Sequence, residues 1–297
     1  MKPKGLITAM VTPLDKANQI DLHATKRLVN HLIEKKVNGL FILGTNGEFH
    51  VLSDSEKLRF AQSVITETDG RVPVYVGTGG NSTEHVIALS KEMTKLGADA
   101  LSVITPYFVP LTENELITHY LTLAEANTAP ILLYNMPKNT GIAISSSMIG
   151  EIAGHPNIIG IKDSSGDLEN IKAYLDATKN EEFAVLSGSD SLILDALKAG
   201  ATGAVAATSN VLTEIDVAIY HYWLNGNLEK AQAMQDSIEE FRRILKLGTI
   251  PSVLKAAINY QGIPVGNPRL PVQPVSKEAL LEVSQTMDGY LKKGQSF

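Results

Sequence analysis

Eight short runs of aliphatic and β-branched residues, each followed by glycine, threonine, asparagine or proline, alternate with longer stretches whose apolar residues recur every three or four positions. The runs are 6–11, 39–43, 74–76, 100–104, 131–134, 158–162, 184–186 and 203–206. The amphipathic stretches between them are 22–35, 55–68, 83–96, 113–127, 145–152, 167–177 and 191–199. Eight strands with one helix in every gap is the arithmetic of a closed α/β barrel, whereas a doubly wound sheet usually stops at five or six strands. The expected fold is therefore a (β/α)8 TIM barrel. Its 297 residues fit one barrel of about 250 residues with an extension.

The extension is helical. After Asn210 the pattern predicts helices over 214–225, 228–246, 252–261 and 277–293, with a proline-rich linker at 264–274. The expected organisation is barrel strands and helices over 1–210, then a closing helix and C-terminal helical subdomain over 211–297. The apolar run at 5–11 is short for a signal peptide and lacks a small-residue cleavage pattern, so it is read as the first strand.

Composition narrows the function classes. The net charge is −6 and no lysine–arginine cluster is present to neutralise phosphates, which argues against a nucleic-acid partner. With no cysteine, disulfides, thiolate nucleophiles and cysteine–metal sites are excluded. No run approaches the ~18 apolar residues of a membrane helix, so neither a membrane partner nor a membrane address is expected, and the expected compartment is the cytoplasm. The seven histidines show no ligand spacing on one element, so no metal is expected.

In such a barrel the chemistry sits where strands end, because the loops there converge. The run Ile158-Ile-Gly-Ile-Lys162-Asp163 ends in a lysine. With a two-residue period, Ile159 and Ile161 face the helices and Lys162 faces inward. Most lysines are solvated surface residues, but one closing an apolar strand is not in that setting. Burial disfavours the charged form of an amine, leaving neutral nitrogen to attack a ketone. The iminium so formed is an electron sink for carbon–carbon bond cleavage, with no cofactor required.

Gly44-Thr-Asn-Gly-Glu48 follows the second run. Its successive amides, with Thr45 and Asn46, can cradle a carboxylate, or the segment is an ordinary turn. Tyr134 ends the fifth run, either as a proton carrier or as a packing residue whose hydroxyl finds a partner. Gly77-Thr-Gly-Gly80 lacks the third glycine of a dinucleotide fingerprint and reads as a turn.

Taken in order, Gly44–Glu48, Thr105-Pro-Tyr107, Tyr134-Asn-Met-Pro137, Gly160-Ile-Lys-Asp163 and Pro268-Arg-Leu-Pro271 resemble the motif set of the dihydrodipicolinate synthase/N-acetylneuraminate lyase family. The resemblance implies a class I lyase or aldolase acting on pyruvate and an aldehyde. It implies a Schiff base on Lys162, a catalytic Tyr134 and Thr45, and carboxylate binding by Thr45 and Asn46. Gly188 and Val205 would line the pocket, and the assembly would be a homotetramer of two tight dimers.

Departures bear on the substrate. Dihydrodipicolinate synthases of this resemblance usually carry an arginine where this chain has Asn139. Of the groups that sialic acid lyases use for a polyhydroxylated tail, Asp190 is kept, while Ser191 and Ala207 differ. Asn46 with Glu48-Phe49, and Lys138-Asn-Thr-Gly141, instead look similar to 4-hydroxy-2-oxoglutarate and 2-keto-3-deoxy sugar acid aldolases. The first expectation is therefore one of those aldolases, and the alternative is 4-hydroxy-tetrahydrodipicolinate synthase. N-acetylneuraminate lyase and a 2-keto-3-deoxy acid dehydratase using the same imine are further alternatives. Many members carry a second tyrosine where this chain has Phe108, which cannot carry a proton; either water or Thr45 serves instead, or turnover is slow, or the reaction differs from the aldol, and a non-enzymatic 2-oxo-acid-binding regulator is a third reading.

Overall fold

The computed structural model describes residues 2–293, so the outermost positions of the expected segments, residue 1 and residues 294–297, lie outside the described residues. Eight strands follow one another in chain order around a closed barrel. They are β1 (Gly5–Ala9), β2 (Gly39–Ile42), β3 (Val74–Gly77), β4 (Ala100–Ile104), β5 (Ile131–Asn135), β6 (Ile158–Asp163), β7 (Ala184–Ser187) and β8 (Gly203–Ala206). The alternation of strands and helices makes this a (β/α)8 TIM barrel, as the sequence periodicity predicts.

The helices between the strands are α1 (Leu22–Glu34), α2 (Asp54–Thr68), α3 (Thr83–Lys95), α4 (Glu113–Ala126), the single turn α5 (Pro137–Thr140), α6 (Ser146–Ile152), α7 (Leu168–Ala177) and α8 (Ile193–Ala199). Their starts are written in the sequence. Ser53 and Thr112 each accept the backbone N–H three residues on, and the glutamates there, Glu56 and Glu115, return the bond to the cap amide. Asp21, Ser82, Ser145 and Asp167 cap by side chain alone.

Two compact units are distinguished: Met1–Gly5 with Pro73–Val205, and Leu6–Val72 with Ala206–Phe297. In the first, the core lies between strands and helices. Val103, Leu133, Ile158, Ile161 and Val185 pack with Leu116, Tyr120, Met148, Ile152, Ile171 and Tyr174. Tyr174 donates from its hydroxyl to the Ile144 carbonyl at 2.5 Å, so the buried phenol is satisfied.

In the second unit, Asn210 ties the start of the C-terminal region to β1. Its side chain accepts from the Val11 amide at 3.2 Å and donates to the Ala9 carbonyl at 2.8 Å. The helices that follow are α9 (Thr213–Leu224), α10 (Leu228–Ser237), α11 (Glu239–Ile244), α12 (Ser252–Tyr260) and α13 (Lys277–Lys292).

The single helix expected over 228–246 is broken between α10 and α11. The hydroxyl of Tyr290 donates to the Ser237 carbonyl at 2.7 Å and accepts from the Phe241 amide at 3.2 Å. It takes the place of the main-chain bond that would otherwise join those two groups, the kind of insertion that interrupts a helix. Among the described residues no helix is long and apolar enough to cross a membrane.

Candidate active site

In the first unit the site is built on two neighbouring strands. Tyr134 of β5 and Lys162 of β6 are register partners, as are Asn135 and Asp163. Their preceding neighbours Leu133 and Ile161 belong to the helix-facing core, so Tyr134 and Lys162 project from the other face. Both are 4 % exposed. The Lys162 nitrogen lies 4.0 Å from the centre of the Tyr134 ring, and the Tyr134 hydroxyl donates to the Met136 sulfur at 2.8 Å.

The strict alternation expected for β6 is corrected at one point. Register with β5 runs Ile131 to Ile158 and then Leu132 to Gly160, so Ile159 is an extra residue, a β-bulge. The helix-facing isoleucines are therefore Ile158 and Ile161 rather than Ile159 and Ile161. The bulge leaves Ile161 facing the helices and Lys162 on the opposite face.

Two glycines allow close approach around this lysine. A Cβ at Gly160 would strike the Ala184 carbonyl and come within 2.9 Å of the Ala184 Cβ, so only glycine lets β6 lie this close to β7. A Cβ at Gly188 would strike the Ser164 hydroxyl and lie 3.0 Å from the Lys162 Cε. The loop is held there by the Gly188 amide, which donates to the Asp163 carbonyl at 2.6 Å, and by Ser164, which donates to the Gly188 carbonyl at 3.2 Å.

Asp163, next to the lysine, points away from it into a polar hub that the sequence reading passed over. Its carboxylate accepts from Asn135 Nδ2 at 2.7 Å, Asn170 Nδ2 at 3.0 Å and Ser165 Oγ at 2.6 Å. Burial pushes this carboxyl up from its ordinary value, and the three hydrogen bonds oppose that shift. Asn135 also accepts from the Ile144 amide at 3.0 Å, so one pair of side chains joins β5, β6, α7 and the entry to α6. Its signal in sequence is a polar residue at each strand end, which does not distinguish scaffold from chemistry.

The remaining expected residues fall on other elements of the same unit. Val205 is buried within β8. Asp190, half-buried, begins the short 3-10 turn after β7. Asn139 is an exposed residue of α5, as is its neighbour Lys138. Phe108, on the loop after β4, is 92 % exposed and has φ of +81°, a left-handed conformation rare for an aromatic residue.

Thr45 and Asn46 belong to the second unit, half-buried in the loop after β2. The loop is a folded turn: the Glu48 amide donates to the Thr45 carbonyl at 3.1 Å, and Thr12 Oγ1 donates to the Gly47 carbonyl at 2.7 Å. Among the described residues, no three histidine or acidic side chains cluster as a metal ion requires.

The profile of the Dihydrodipicolinate synthetase family matches residues 2–289. The chain is 35% identical over 273 residues to 4-hydroxy-tetrahydrodipicolinate synthase 1 of Halalkalibacterium halodurans, covering 92% of each chain. It is 35% identical over 289 residues to the 4-hydroxy-tetrahydrodipicolinate synthase of Listeria innocua, covering 97% of this chain and 98% of that one. Among solved structures, dihydrodipicolinate synthase DapA-2 from Bacillus anthracis superposes with a TM-score of 0.93 at 32% identity, covering 97% of this chain and 99% of that one. YagE, an E. coli prophage protein of the dihydrodipicolinic acid synthase family solved with pyruvate, gives 0.93 at 30% identity, covering 99% of both. These relatives' names side with the alternative expectation from sequence rather than with the sugar-acid aldolases.

Proposed function

The chain belongs to the dihydrodipicolinate synthetase family, a family of pyruvate-dependent lyases and synthases, and on that premise we propose that it joins pyruvate to an aldehyde, or splits the product, through a Schiff base on Lys162. The observation that carries the reading is the pairing of Lys162 with Tyr134: a buried amine 4.0 Å from the centre of a phenol ring on the adjacent strand.

The chemistry follows from those groups. The neutral Lys162 amine attacks the ketone carbon, and the carbinolamine loses water when its hydroxyl is protonated, giving the iminium. Loss of a methyl proton yields an enamine whose carbon attacks the aldehyde. The new alkoxide takes a proton, and water releases the product from Lys162. Tyr134 is the group placed to pass these protons, with Thr45 and ordered water completing the path that Phe108 cannot serve. Thr45 and Asn46 hold the pyruvate carboxylate, and Gly188 and Val205 bound the pocket.

For the aldehyde, the names of the relatives support the 4-hydroxy-tetrahydrodipicolinate synthase reaction. The exposed, uncharged Asn139 supports the second reading, cleavage of 4-hydroxy-2-oxoglutarate or a 2-keto-3-deoxy sugar acid, because no cation occupies that position for a second carboxylate. The two are separated by comparing kcat/KM for pyruvate with aspartate semialdehyde against pyruvate release from each 4-hydroxy-2-oxo acid. Turnover of the semialdehyde alone supports the synthase; pyruvate release alone supports the aldolase. A dioxo acid formed without pyruvate contradicts both and indicates dehydration. The proposal also keeps a cytoplasmic homotetramer of two dimers, and the organisation 1–210 and 211–297.

A further inference from the structure

Glu48, three residues beyond Thr45, holds a buried carboxylate for which the chemistry above has no use. It is 2 % exposed and sits at φ +56°, a conformation unfavourable for a side chain of this kind. Its Oε2 lies 2.5 Å from the Lys255 nitrogen, a lysine of α12 that is itself fully buried. Its Oε1 accepts from the Arg269 amide at 2.7 Å. Lys255 also donates to the Asn267 carbonyl at 3.1 Å. Burial holds the Lys255 pKa below its ordinary value, and the neighbouring Glu48 opposes that shift.

Burying two charges is costly, and an apolar pair of similar size would serve packing as well or better. What the ion pair adds is direction. The Glu48 amide donates to the Thr45 carbonyl, so a shift of Glu48 moves the residues that present Thr45 and Asn46. The Arg269 guanidinium grips the far end of the same loop, bonding the Val51 carbonyl at 3.1 Å and both oxygens of Glu56 at 3.0 and 2.8 Å.

We propose that Glu48 and Lys255 are positioning residues, through which the C-terminal segment from α12 to Arg269 sets the affinity of the Thr45–Asn46 loop for the carboxylate of the 2-oxo acid. The inference rests on the reading that this loop binds that carboxylate.

The test is borohydride trapping of Lys162 across a range of pyruvate concentrations, with thermal unfolding measured in parallel, for Glu48→Gln, Lys255→Met and the double variant. Each single change is expected to raise the half-saturating pyruvate concentration by about ten-fold, the scale of one misplaced charge-assisted hydrogen bond, with full labelling at saturation. The double variant should show the same ten-fold, because one shared interaction is lost only once. Tyr290→Phe, which removes the hydroxyl bonded to Ser237 and Phe241 in the same unit and touches neither Glu48 nor Lys255 by hydrogen bond, should lower the melting temperature without moving half-saturation.

Folded variants whose half-saturation stays within about two-fold of the parent overturn the proposal. If the single variants do not fold, the double variant, which leaves no charge unpaired in the core, decides by the same criterion. A double variant that also fails to fold overturns the proposal, since the pair would then serve folding alone. A parent protein that pyruvate does not label at Lys162 refutes the proposed function itself, a result separate from any of these.

Discussion

Tyr134 and Lys162 face each other as register partners on adjacent strands, the lysine nitrogen 4.0 Å from the centre of the phenol ring. The phenol hydroxyl donates a hydrogen bond to the Met136 sulfur, a weak acceptor.

Tyr134→Phe keeps the ring beneath Lys162 and removes the transferable proton. The expected result is a fall in kcat of about 10²- to 10⁴-fold, the usual scale of general acid–base catalysis, with little change in melting temperature. Steady-state kinetics and calorimetry on the same preparation check it; an unchanged kcat would remove Tyr134 from the proton path.

Gly188→Ala places a methyl group 3.0 Å from the Lys162 Cε and against the Ser164 hydroxyl. Overpacking of this kind costs about 1–3 kcal/mol. Urea unfolding should show that loss, and turnover should drop with it because the lysine stem must shift. A variant as stable and as active as the parent would show that the loop yields freely.

Glu56 accepts two bonds from Arg269, which, with its bonds to Ser53, hold its carboxyl at about 2, well below the ordinary 4.5 of a glutamate. Because the folded-state value is the lower one, the contribution to stability is complete above the unfolded value and is lost as pH falls from about 4.5 toward about 2. Glu56→Gln should lower stability at neutral pH by about 1 kcal/mol, a figure reduced from the full shift because the pair is partly hydrated. It should also flatten the acid side of the stability profile. A parallel profile for parent and variant would contradict this assignment.

Tyr290→Phe removes the hydroxyl that joins Ser237 and Phe241. A buried amide and a partly buried carbonyl then lose their partner, at a cost of about 1–3 kcal/mol unless α10 and α11 close into one helix. Denaturant unfolding measures the cost, and a rise in helical circular dichroism would report the closure.

The period of the strands, the capping serines and threonines, and the lysine closing β6 were all legible because each depends on residues near one another in the chain. What escaped the sequence depends on distant partners. The break at Ile238 is made by Tyr290, whose hydroxyl bonds groups 49 and 53 positions away. Lys255 lies on α12, and no residue near it in the chain marks its partner, Glu48. The bulge at Ile159 has no signature among three isoleucines that all suit a buried strand, so strict alternation picks Ile159 where Ile158 packs against the helices.

The most direct measurement is borohydride reduction in the presence of pyruvate, followed by mass analysis of the peptides, with Lys162→Ala as control. A single reduced adduct on Lys162 is expected in the parent and none in the variant. A label on another lysine, or an unlabelled parent at saturating pyruvate, would contradict it.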